Sequence, residues 1–155
     1  QHSPGHPALL NNLAFTLSQN TKRLSEAVAL IPDLLRMSKT DPQIKDTLAA
    51  VYIATGRLDE AQKTVTSILR ETEPGSPLRF RGNMLLSEIA WKQGRPREAR
   101  GLLERLLKSS KNIPDEDILA ANALLAQVMG ESAEYVNPMR LFVNEELNGI
   151  SKPEE

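Results

Sequence analysis

Few side chains in this chain are equipped for chemistry, and they are scattered. The two histidines, His2 and His6, both lie in the opening QHSPGH. An imidazole base or metal ligand is therefore not expected in the body of the protein, and its Ser and Asp residues have no His with which to build a nucleophilic triad. There is no cysteine, so thiolate catalysis, thiolate metal sites and disulfides are excluded. Asp115, Glu116 and Asp117 stand together at an expected helix start, where carboxylates favour the positive end of the dipole without needing a metal. GRLDEA and GRPREA each carry one isolated glycine and read as helix turns, not as a phosphate-cradling loop. The expectation is a protein without catalysis, cofactor or metal.

Charge is the other feature that could recognise a partner. Phe80 to Asn112 holds eight Lys/Arg against three Asp/Glu, and Ile113 to Glu155 holds two against nine. Arg95, Arg97, Arg100, Arg105 and Lys108 share one segment. This segment is either a solvated face balanced by the acidic stretch or a basic patch for an acidic partner or anionic polymer. Nucleic acid is disfavoured because no aromatic residues alternate with these cations to stack bases. The net charge of −1 gives no overall field toward nucleic acid or membrane.

The elements that must carry these residues are helical. The chain has 155 residues, 40% of them apolar but only 4% aromatic, so its bulk comes from Leu, Ile, Val and Ala. That composition suits one domain of close-packed helices better than a β-sandwich. No apolar run of about 18 residues is present, so no membrane span is expected. There is no initiating Met, and Gln1 reads as the start of a cut or processed chain, which leaves the compartment open between cytoplasm and periplasm.

Residues 1–6 are expected to be loose, 7–150 to form the domain and 151–155 to be a tail. The first helix should run from Pro7 to Gln19 with Leu10, Leu13, Ala14 and Leu17 on one face. The second should begin near Arg23, carry Leu24, Ala27, Ile31, Leu34 and Leu35, and kink at Pro32, which removes a hydrogen bond from the helix. A central pair spans Asp41 to Glu71, with Asp41 as cap, Pro42 in the first turn and Gly56 at the turn. A fifth helix, the longest, follows the cap Ser76 and ends at Gly94. A sixth runs from Pro96 to Ser109. ILAANALLAQVM reads as a seventh, buried on more than one face and closed by Gly130. A last helix from Pro138 to Gly149 should press Met139, Phe142, Val143 and Leu147 on the preceding pair.

These segments repeat. Leu10, Leu13, Ala14 and Leu17 align with Lys45, Leu48, Ala49 and Tyr52, then with Asn83, Leu86, Ser87 and Ala90, then with Asn122, Leu125, Ala126 and Met129. Ala27, Ala61 and Ala99 are each followed four residues later by Ile31, Val65 and Leu103, and then by Leu34-Leu35, Ile68-Leu69 and Leu106-Leu107. Small residues mark close helix crossings and large ones fill the gaps between turns. This pattern, densest in LAAVYIATGRLDEAQ, resembles the tetratricopeptide (TPR) repeat family over Pro7 to Gly130. LLNNLAFTLSQN and IKDTLAAVYIATGRLDEA look like bacterial TPR proteins, including envelope and polysaccharide-export ones. The repeats are about 35 and 38 residues apart against about 34 for the ideal, and the first pair lacks the turn glycine. The expected fold is all-α, a TPR-like α-solenoid of three hairpins (7–37, 41–72 and 77–109) with a divergent C-terminal helical cap (114–149). An unrelated helical bundle is the plainer alternative.

The resemblance implies a concave groove lined by the first helix of each pair, and a protein-interaction scaffold that binds a peptide or partner helix. The matching positions are Asn11, Asn12, Phe15 and Ser18, then Gln43, Asp46, Ala50 and Ile53, then Arg81, Met84, Glu88, Trp91 and Lys92. In this reading Asn12 bonds a ligand backbone, Arg81 takes a carboxylate, and Met84 and Trp91 form an apolar anchor. Packing between helices is the alternative role for Trp91, Phe15, Asn11 and Asn12. The Lys/Asn/Arg set that grips a C-terminal dicarboxylate in chaperone-binding TPR domains is not reproduced. Self-assembly through the N-terminal end and service as an accessory domain of an envelope, polysaccharide-export or glycan-processing system are the competing functions.

Overall fold

A computed structural model describes residues 6–130, and within them the chain is all-helical, as its composition requires. The helices are α1 (Pro7–Ser18), α2 (Leu24–Ala29), α3 (Ile31–Ser38), α4 (Pro42–Ala54), α5 (Leu58–Glu71), α6 (Pro77–Lys92), α7 (Pro96–Lys108) and α8 (Asp115–Gly130). A 3₁₀ turn at Thr21–Arg23 precedes α2, capped by Asn20, whose side chain accepts from the Lys22 amide. The expected cap helix at 138–149 and the tail at 151–155 lie outside the described residues.

Helix starts follow the cap chemistry. Asp41 accepts from the Gln43 amide at 2.9 Å, and Ser76 accepts from the Arg79 amide at 3.2 Å. The two glycine turns are built alike. Gly56 and Gly94 adopt φ of +75° and +77°. At the first, the Arg57 amide returns to the Tyr52 carbonyl and the Gly56 amide to that of Ile53. At the second, the Arg95 amide returns to Ala90 and the Gly94 amide to Trp91. Each turn thus satisfies two carbonyls that the helix end would otherwise leave orphaned.

The first hairpin has no such glycine, and its outer strand of helix is broken in two. Pro32 has no N–H to offer the Val28 carbonyl, and the helix is interrupted at Leu30, two residues before the proline. The register survives the break: Ala27, Ile31 and Leu34 are all buried.

Packing follows chain order. Each hairpin closes on itself, α4 on α5 and α6 on α7, and each outer helix packs on the next inner one, α3 on α4, α5 on α6 and α7 on α8. The inner helices also touch in sequence, α1 to α4 to α6 to α8, whereas α3, α5 and α7 do not pack on one another comparably. Small residues make this approach possible. Ala14, Ala49, Ser87, Ala27, Ala61 and Ala99 are all fully buried. At Gly82 a β-carbon would lie 3.1 Å from Ile68 and 3.2 Å from Leu69, so α5 and α6 meet there at the limit of contact. Arg79 locks the same junction: its guanidinium donates to the Leu69 and Thr72 carbonyls at the end of α5.

Several sequence expectations need correction. Leu13, expected inside, is 46% exposed, while its counterpart Leu48 is 2% exposed. Leu48 has a preceding hairpin to pack on, and Leu13 sits at the open end of the described stack. Leu35 is exposed for the same reason of position. α8 is not buried on several faces. It buries Ala121, Leu124, Val128 and Met129, but Leu119 is 69% exposed and Ala123 and Ala126 face outward. Its counterpart of Phe80, which is 4% exposed against its own hairpin partner, is Leu119. Gly130 is the last residue of α8 as described, and whether the helix closes there lies outside the described residues. α6 shares the greatest length with α8, 16 residues each.

Candidate groove on the inner helices

The expected groove residues lie on three helices that touch in sequence, α1, α4 and α6, but Ile53 does not line a surface: it is buried in the core beside Val51 and Tyr52. Asn11, Asn12 and Phe15 lie on α1, Gln43, Asp46, Ala50 and Ile53 on α4, and Arg81, Met84, Glu88 and Trp91 on α6. Extending the register places Ala120, Ala123 and Gln127 on α8, all exposed. Of the α1 set, Asn12 is exposed, Phe15 is half exposed and Ser18 is turned inward, its hydroxyl donating to the Phe15 carbonyl. Asn11 has a buried Oδ1 with no donor among the described residues.

Arg81 is the centre of the row. Its Nε donates to Asp46 at 2.8 Å, one terminal nitrogen to the Gln43 amide oxygen at 2.8 Å, and the other to Asp117 at 3.4 Å. One guanidinium thereby joins α4, α6 and α8. A planar fork of five donors suits such a three-way bridge in a way an ammonium does not. Burial pushes the Asp46 carboxyl above its ordinary range, against the opposing pull of Arg81 and with a smaller push from the Asp117 charge. Two carboxylates on one cation leave the junction with a surplus negative charge.

Asp117 was missed as a member of this set. Read from sequence, it belongs with Asp115 and Glu116 as a favourable charge at a helix start. The available signal was its register, one turn before Ala120 on the inner row of α8.

Met84 and Trp91 pack against the cluster of Ala90, Ala99, Leu103, Leu124 and Val128 that joins α6, α7 and α8. Both are partly buried. The Lys92 ammonium sits over the Trp91 ring, 4.6 Å from its centroid, a cation–π contact. Glu88, one turn from both Met84 and Trp91, is half-buried and has no hydrogen-bond partner among the described residues. Burial raises its carboxyl above the usual range, and the Lys92 charge offsets that only in part.

On the outer side, α7 carries its basic residues partly self-paired. Arg95 contacts Glu98 at 2.5 Å and Arg100 contacts Glu104 at 2.8 Å. Both pairs are well exposed, where such contacts are worth little. Among the described residues no helix is long and apolar enough to cross a membrane. No family model, curated protein or solved structure matches the chain.

Proposed function

We propose that this chain is a noncatalytic protein-interaction scaffold whose hairpins stack in the TPR-like manner, with a peptide or partner helix held along the inner helices. The observation that carries this reading is the unbroken contact of α1, α4, α6 and α8. In this reading half-exposed Phe15, small Ala50, Met84 and Ala123, one from each of those four helices and none of them fully buried, contribute to a shared surface. Such a surface offers apolar contact beside fixed polar groups, the combination that peptide-binding grooves use.

The test is selection of random peptides displayed on phage against the immobilised protein. Selected peptides are expected to bind the parent and to weaken by at least about tenfold, roughly 1.4 kcal/mol, against Ala50→Arg or Ala123→Arg. Both substitutions put a long side chain into the row without touching Arg81 or the core. Binding indifferent to both variants overturns the reading.

Self-association is the second reading, and one observation favours it. Leu9 and Leu13 on α1 and Leu35 on α3 are exposed, whereas Ile44 and Leu48, the counterparts of the first two on α4, are buried. A second copy would cover the exposed leucines.

A further inference from the structure

We propose that Glu88 receives a basic side chain, lysine or arginine, from the peptide bound along the inner row. The inference rests on the groove reading above and specifies its partner.

The first ground is what Arg81 already does. From sequence it was the cation awaiting a carboxylate. In the structure its fork is filled by Asp46, Gln43 and Asp117. A ligand carboxylate would have to displace them and loosen three helices at once. The second ground is charge. The inner row sets Asp46, Glu88 and Asp117 against Arg81 and Lys92, three acids to two bases. The complementary ligand is cationic.

The third ground locates the contact. Asp46 and Asp117 spend their charge on Arg81, whereas Glu88 has no hydrogen-bond partner among the described residues although it is half-buried. The Lys92 ammonium, one turn along, lies over the Trp91 ring. The Glu88 oxygens are not sealed from solvent, so they are open to donors from outside the protein. A guanidinium or ammonium from a ligand supplies those donors, and the bidentate match with arginine is the strongest available. By register Glu88 is flanked by Ala50 on α4 and Gln127 on α8. Ala50 is small and only half-buried, and the aliphatic stem of a long cationic side chain packs well on such apolar surface. Burial also holds the Glu88 carboxyl above the usual range, as expected of a group whose partner is missing.

The experiment uses the phage-selected peptides, synthesised singly, with Glu88→Gln as the isosteric variant and circular dichroism to verify its fold. The expected peptides carry a Lys or Arg at a constant position. Replacing that residue by citrulline or norleucine weakens binding at least about tenfold, and Glu88→Gln does the same. The two changes together cost little more than either alone. Peptides sensitive to Ala50→Arg and Ala123→Arg but bound equally by Glu88→Gln, or a selection dominated by acidic peptides, overturn the Glu88 assignment and leave the groove standing. A selection with no peptide sensitive to the blocking variants overturns the groove and this inference with it.

Discussion

Arg81 shows how much one side chain can hold. Its partners come from positions 35 to 38 residues away in the chain on either side, so no local propensity could have paired them. Removing it by Arg81→Leu leaves Asp46 and Asp117 facing each other without a cation. The pairs are partly solvated, with Arg81 and Asp46 about a quarter exposed, so the full cost of a buried orphan charge does not apply. A loss of about 2 kcal/mol in urea denaturation at neutral pH is expected, shrinking in acid as Asp46 is neutralised.

Glu88 should behave in the opposite sense. Its carboxyl is raised in the folded protein, so between the ordinary carboxylate range and that raised value the folded state binds more protons than the unfolded one. Stability therefore falls as pH rises through this window. Glu88→Gln removes the penalty. The variant is expected to be more stable than the parent at pH 7, and the difference should vanish well below the ordinary carboxylate range, as measured by urea midpoints at the two pH values. A parent that is more stable than the variant at pH 7 would contradict the picture of a carboxylate without donors.

At the scale of elements, the two glycine turns and the tight α5–α6 contact at Gly82 set the local geometry. Gly56 and Gly94 have positive φ with open space around a β-carbon, so Ala at either position meets backbone strain and no clash. Each Gly→Ala change should cost about 1 kcal/mol. The two sites lie in different hairpins, so the costs should add in the double variant. Gly82 is the reverse case: its backbone is ordinary, and the space is limiting. Gly82→Leu would drive Ile68 and Leu69 aside and should cost about 3 kcal/mol or more by thermal denaturation. The broken α2–α3 segment illustrates a further point about elements. A proline interrupts the hydrogen-bond ladder, but burial of Ala27, Ile31 and Leu34 keeps the two pieces in register. Packing, not the ladder, fixes the direction of the outer helix there.

For the molecule as a whole, the ends of the stack are where surface and partner questions meet. Leu9, Leu13 and Leu35 are the exposed large apolar residues of α1 and α3 apart from Phe15. If a second copy covers them, sedimentation velocity should show a concentration-dependent rise in mass that Leu9→Lys with Leu13→Lys abolishes. A parent that sediments as a monomer up to millimolar concentration would leave the peptide-binding reading without this competitor.

The alternation of large and small residues determined the helices, their caps, the glycine turns and which alanines lie inside, because helical spacing, cap hydrogen bonds and close crossings act between neighbours in sequence. Ala49, Ala61 and Ala99 were legible as crossing points for that reason. The sequential contact of α1, α4, α6 and α8 came from the structure, while the sequence offered only an equivalence of positions between hairpins. What each position does on those helices was decided only by tertiary structure. Arg81 changed from a waiting ligand contact to a structural bridge, Asp117 moved from helix start to inner network, and Leu13 turned from core to surface. Each outcome depends on which helix lies across from the residue, or on none being there. A sequence pattern treats every hairpin alike, but among the described residues no helix covers Leu13 as one covers Leu48, and side-chain charge pairs form across distances that a pattern of neighbours does not encode.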